Sequence, residues 1–123
     1  MGSRVGAVRR ADGVDGVQVG AGRGTIRRDL IDSTEGPHFA LRKFTMVAGG
    51  GMPRHTNEVE HEQYVLRGRG RIGIGDEVFE VGPDDVVYIP AGMPHWYETV
   101  GEEPFEFLCA VPNHPDRIEL LDS

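Results

Sequence analysis

Three histidines in this sequence have the type and spacing to gather around a metal ion, with Asn57 facing the same space. His55 and Asn57 stand two apart, His61 follows the segment Glu58-Val59-Glu60, and His95 arrives far downstream in Pro90-Ala91-Gly92-Met93-Pro94-His95. Residues i and i+2 of a strand share a face, so His55 and Asn57 look into one space. A reversal at Glu58-Val59-Glu60 is expected to carry His61 onto the adjacent antiparallel strand, where opposed Cβ atoms sit about 4.5–5.5 Å apart. Imidazole nitrogens from such positions can meet on one ion at about 2.0–2.2 Å. His95 is expected to complete the set from another strand. Asn57 is either a weak oxygen donor or a hydrogen-bonding wall residue. Three neutral imidazoles suit one divalent transition metal (manganese, iron, nickel, copper or zinc) and leave positions open for water or substrate. Because no anionic ligand is required, the ion keeps its full charge, which favours an anionic or enolate-like substrate.

Positioning these groups falls to short strands. The runs Thr25–Ile31, Phe39–Val47, Tyr64–Leu66, Arg71–Ile74, Val78–Val81, Val86–Ile89, His95–Val100 and Phe105–Val111 read as strands, separated by turn signals at Gly36-Pro37, Gly75-Asp76 and Gly82-Pro83. Gly49-Gly50-Gly51 is expected to break the strand before it. Ala40, Arg42, Phe44 and Met46 share one face by the period of two, as do Phe105, Phe107, Cys109 and Val111. Val86–Ile89 has the continuous apolar character of a buried strand. The tail from Pro115 to Leu121 is expected to make one or two helical turns. Strands about ten residues apart with turns between them indicate an all-β sandwich or barrel.

The bulk properties narrow the function. At 123 residues the chain is one domain, with residues 1–24 expected as a flexible arm containing a short strand at Val17–Val19, and 25–123 as the folded domain. A net charge of −7 repels phosphate backbones, so nucleic acid is not an expected partner. No segment is long and apolar enough to suggest a membrane partner, and no secretion signal is visible. The single cysteine, Cys109, excludes an intrachain disulfide and points to a reducing, cytoplasmic home. Gly68-Arg69-Gly70-Arg71-Ile72-Gly73 fits the dinucleotide fingerprint literally, but a hairpin follows it where a helix is needed. His38 and His114 lie outside the metal pattern. Tyr64, Tyr88 and Tyr97 are candidate proton donors that no spacing distinguishes.

In these frames the chain resembles a single-domain cupin. The first motif of that family is a glycine, five residues, His-x-His, three or four residues, Glu, six residues and Gly; Gly49, His55, Asn57, His61 and Gly68 fall at those spacings. The second is Gly, five residues, Pro-x-Gly, two residues, His, three residues and Asn; Asp84, Pro90, Gly92, His95 and Thr99 hold those places. The likeness spans residues 39–111. Asn57 replaces the second histidine and His61 the glutamate. Histidine at the glutamate position is similar to a subgroup of small manganese-binding cupins with four histidine ligands. The stretches Phe44-Thr45, Glu60-His61-Glu62 and Phe107-Leu108-Cys109 resemble the same subgroup.

The resemblance implies a double-stranded β-helix, a homodimer, and Arg42, Phe44, Phe107 and Cys109 as residues that line a substrate pocket. A buried Arg42 would orient a carboxylate with both arms of its guanidinium; otherwise it lies on the outer face and the aromatics are ordinary core. The leading expectation is a metal-dependent oxygenase acting on a small organic substrate. A non-redox lyase or isomerase, and a non-catalytic module that binds a small ligand or metal, are the alternatives.

Overall fold

The computed structural model describes residues 5–122. Ten strands form one antiparallel sheet that curls on itself: β1 (Gly16–Gln18), β2 (Arg23–Ile31), β3 (Phe39–Thr56), β4 (His61–Arg67), β5 (Arg69–Ile74), β6 (Glu77–Val81), β7 (Val86–Ile89), β8 (His95–Val100), β9 (Phe105–Pro112) and β10 (Glu119–Leu120). Neighbours run β6-β5-β8-β3-β9-β4-β7, with β2 and β10 also on β3 and β1 on β2. The all-β, double-stranded β-helix expectation is met. Among the described residues no helix is long and apolar enough to cross a membrane.

Strand β3 organises the rest, and here the sequence expectation fails. The strand does not stop at Gly49; it runs for 18 residues through the glycines. Its first part, Phe39–Met46, pairs with β9, and its last part, from Gly51 to His55, pairs with β8. Gly49 turns the strand with φ 79°, a value that glycine adopts without steric penalty. A Cβ at Gly51 would collide with the Tyr97 carbonyl oxygen on β8. The glycines thus let one strand bend from one partner to the next.

That bend also changes the expected register. His61 does not sit on the strand adjacent to His55, because β9 lies between β3 and β4. Opposite His55 stands His95, while His61 faces Ile89 on β7. The segment between β3 and β4 crosses over the barrel rather than forming a hairpin.

Two further expectations are corrected. The tail is extended rather than helical: β10 lies along β3 with Leu120 opposite His55, and the Leu121 N–H donates to the Arg54 carbonyl at 3.0 Å. The free edge of β3 offers backbone partners that a helix starting at Pro115 would forgo. Strand β7 is only half-buried, with Val87 and Ile89 inward and Val86 and Tyr88 exposed, because it is an edge strand with one wet face.

The core sits between the two halves of the curl and includes Met46, Val65, Ile72, Ile89, Phe105, Phe107 and Val111. Each such side chain contributes about 1.5–3 kcal/mol through removal from water. Residues of the amino-terminal arm lie along β2, where Val17 opposes Arg27. Arg9 donates to the Leu30 carbonyl at 3.0 Å and pairs with Glu35 at 2.7 Å. The first four residues of that arm lie outside the described residues.

Candidate metal centre

His55, near the end of β3, and His95, at the start of β8, face each other across the ladder with ring centroids 4.1 Å apart. Each Nδ1 contacts a backbone carbonyl two residues earlier, Pro53 at 2.7 Å and Met93 at 2.9 Å. A carbonyl oxygen only accepts, so both Nδ1 atoms carry hydrogen and both Nε2 atoms carry a lone pair. A backbone acceptor behind the ring is the usual support of a metal-ligating histidine. His95 Nε2 is buried without a protein partner, an arrangement that costs about 1–3 kcal/mol when nothing satisfies it. A metal ion fits this donor pair.

His61, the first residue of β4, has its ring centroid 5.5 Å from that of His95. Its Nε2 lies 2.9 Å from Asn57 Oδ1, and its Nδ1 lies 3.5 Å from Cys109 Sγ. Asn57 in turn donates from Nδ2 to Asp116 at 3.1 Å, and the backbone N–H of Glu58 donates to the same carboxylate at 2.7 Å. Among the described residues no three His, Cys, Asp or Glu side chains by themselves stand at the spacing of a metal shell. The close donors are two histidines on one side and a histidine with an amide oxygen on the other.

Burial sets the charge state. It pushes His95 down to about 3 and His61 down to about 4, and lowers His55 as well. All three rings are therefore neutral near pH 7, the state that binds a metal.

The rings open onto a cavity of about 500 Å³. Arg42 lines it from β3 with its side chain 27% exposed, 3.8 Å from Asp29, so the outer-face alternative for this residue does not hold. Arg27 also lines the cavity and binds Asp29 at 3.0 Å. Phe44 and Cys109 reach the cavity surface, but Phe107 does not. Phe107 stands behind the wall, stacked on Phe44 and on Tyr97 with both centroid distances 5.3 Å. Burial pushes the Cys109 thiol up to about 11, so it is protonated and inert as a nucleophile. His38 and His114 are exposed.

Sequence reasoning missed Gln63 and Asp116 and did not single out Tyr97. Gln63 donates to the Tyr97 hydroxyl oxygen at 2.7 Å, and its Oε1 is buried without a partner. Both residues carried a usable signal: Gln63 follows His61, and Tyr97 follows His95, at the two-residue period that shares a face. Asp116 carried none, being 59 residues from its partner Asn57.

Comparison with known proteins agrees with this architecture. Residues 42–111 match the profile of the cupin domain. The chain is 33% identical over 80% of its length to an uncharacterized protein, MJ1618, of Methanocaldococcus jannaschii, covering 83% of it. It is 30% identical over 78% of its length to the 1-methylthio-D-xylulose 5-phosphate methylsulfurylase of Rhodospirillum rubrum, of which it spans 62%. Identity to the acireductone dioxygenase of Cronobacter sakazakii is 29% over 55% of this chain and 39% of that enzyme. The polyketide cyclase RemF from Streptomyces resistomycificus superposes with a TM-score of 0.84 at 31% identity, over 97% of this chain and 88% of that one. With both the profile and the barrel in agreement, this chain belongs to the cupin family.

Proposed function

We propose that this protein is a metal-dependent enzyme acting on a small anionic organic substrate. The observation that carries the reading is the buried, unpartnered Nε2 of His95 beside the equally oriented Nε2 of His55. His55, His95 and His61 would hold one divalent transition metal, with manganese or iron the first candidates. When bound, it supplies Lewis acidity toward an oxygen-bearing group of the substrate.

The chain's own residues define what is bound. Arg42 presents a guanidinium to the cavity, only loosely engaged by Asp29 at 3.8 Å, and so is available to a carboxylate or phosphate. Phe44 and Met46 offer an apolar face for the carbon skeleton. Deep in the site, burial holds the Tyr97 phenol protonated; its oxygen already accepts from Gln63, which leaves its own hydrogen to donate. Gln63 Oε1 has no protein donor and suits a substrate hydroxyl.

Within this reading, non-redox chemistry of the lyase, isomerase or cyclase kind is favoured. Three oxidisable sulfurs, those of Met46, Met52 and Cys109, line the same cavity. The polyketide cyclase RemF also matches more of the chain, 97% against 55% for the dioxygenase. The oxygenase expectation is the second reading, supported by that dioxygenase relative and by neutral imidazole ligands.

Elemental analysis of freshly purified protein beside His95→Ala is the first test, followed by oxygen uptake with enolisable acids. Stoichiometric metal that falls in the variant is expected; equal metal in both removes the reading. Oxygen consumption would move the assignment to an oxygenase. A homodimer is part of the proposal, supported by Tyr64 and Val86, which oppose each other across β4 and β7 and are both exposed; sedimentation equilibrium tests it.

A further inference from the structure

We infer that Asp116, on the carboxy-terminal tail, is a positioning residue of the metal centre, fixing the Asn57 amide so that its oxygen serves as a ligand. The inference rests on the metal reading above and extends it to a residue outside both sequence motifs.

The chemistry of the contact settles which way the amide points. A carboxylate only accepts, so the Asn57 atom 3.1 Å from Asp116 is the NH₂ group. Oδ1 is thereby turned inward, 2.9 Å from His61 Nε2. Two donors about 2.1 Å from one ion and at right angles stand about 3.0 Å apart, so the spacing of Oδ1 and Nε2 suits neighbouring ligands. His61 adapts without moving: in the absence of metal Nε2–H donates to Oδ1, and with metal the hydrogen belongs on Nδ1, facing Cys109 Sγ at 3.5 Å.

Asp116 is itself held. Its other oxygen accepts from the Glu58 N–H at 2.7 Å, and β10 pins the following residues to β3 beside His55. Asn57 is 7% exposed, so solvent does little to choose its orientation. Without Asp116 the amide can turn its NH₂ toward the ion, which a cation opposes. The resulting ligand set is three imidazoles and one neutral oxygen.

Titration of wild-type protein and variants with Mn²⁺, following free ion by electron paramagnetic resonance, tests this. Asp116→Ala is expected to weaken Mn²⁺ binding at least about tenfold, as loss of an outer partner does, with circular dichroism unchanged. In the Asn57→His background, where a ring nitrogen replaces the amide, Asp116→Ala is expected to change the affinity less than about twofold. Asp116→Asn keeps the shape and one acceptor and is expected to lose an intermediate factor; it serves if the alanine variant does not fold. Wild-type affinity in Asp116→Ala, or the same loss in both backgrounds, overturns the inference while leaving the metal reading intact. Wild-type protein that takes up no Mn²⁺, Fe²⁺ or Zn²⁺ overturns both.

Discussion

Acidifying the metal-free protein is expected to cost stability well before its ordinary carboxylates titrate. His61 has a folded value of about 4 and His95 of about 3, against 6.5 in the unfolded chain. The unfolded state therefore binds the extra protons, and stability falls as pH drops below about 6.5 and levels off only below the folded values. For a ring at 4 in the fold, the loss between pH 7.5 and pH 5.0 works out to about 2 kcal/mol, and for one at 3 it is about the same. The pair together removes about 4 kcal/mol, a large share of a typical domain's stability. The exposed Glu62, held up to about 7 by a hydrogen bond shared with Glu60, titrates in the opposite sense, so the comparison needs a variant. Urea unfolding of chelator-treated protein at the two pH values is the assay, with His61→Gln expected to recover about half of the loss. Stability that is flat between pH 7.5 and 5.0 in the wild type, or a slope unchanged in the variant, would refute the claim that these rings are held neutral by burial.

Three other outcomes follow from the same geometry. Tyr97→Phe removes the acceptor of the buried Gln63 amide, and is expected to lower stability by about 1–3 kcal/mol in urea melts. Cys109, 1% exposed and held protonated, is expected to resist iodoacetamide in the folded protein at pH 8 and to react within minutes once unfolded; mass spectrometry reads both. Asp84, at φ 74° the sole non-glycine with positive φ among the described residues, occupies the place where the second cupin motif has glycine. Asp84→Gly is expected to gain up to about 1 kcal/mol in thermal melts, and Asp84→Val to lose more than that.

Much of the barrel was legible in the sequence because alternation survives wherever a strand has one buried face. Phe105, Phe107, Cys109 and Val111 all point inward as their spacing required. The hairpin over Gly75-Asp76 closes as its turn residues imply, with Ile74 opposite Glu77. What failed was long-range. A run of glycines reads as a break, and nothing local says that it instead lets β3 change partners against Tyr97. The same limit misplaced His61, whose neighbours depend on β9 entering between β3 and β4. The residues Ile118 and Leu120-Leu121 suggest an amphipathic turn only if the open edge beside His55 is unknown. Of the site, the histidines were visible through their spacing, but Asp116 acquires meaning only when the tail is folded back onto Asn57.

Strand β3 draws its hydrogen-bonding partners from both sides in sequence: β2 precedes it, and β8, β9 and β10 follow. During synthesis its ladder therefore stays incomplete until residues 119–120 have left the ribosome. Closures of that span are entropically slow. The pocket is consequently a late product of folding, and a nascent chain stalled before β8 holds His55 and His61 while His95 has yet to be made.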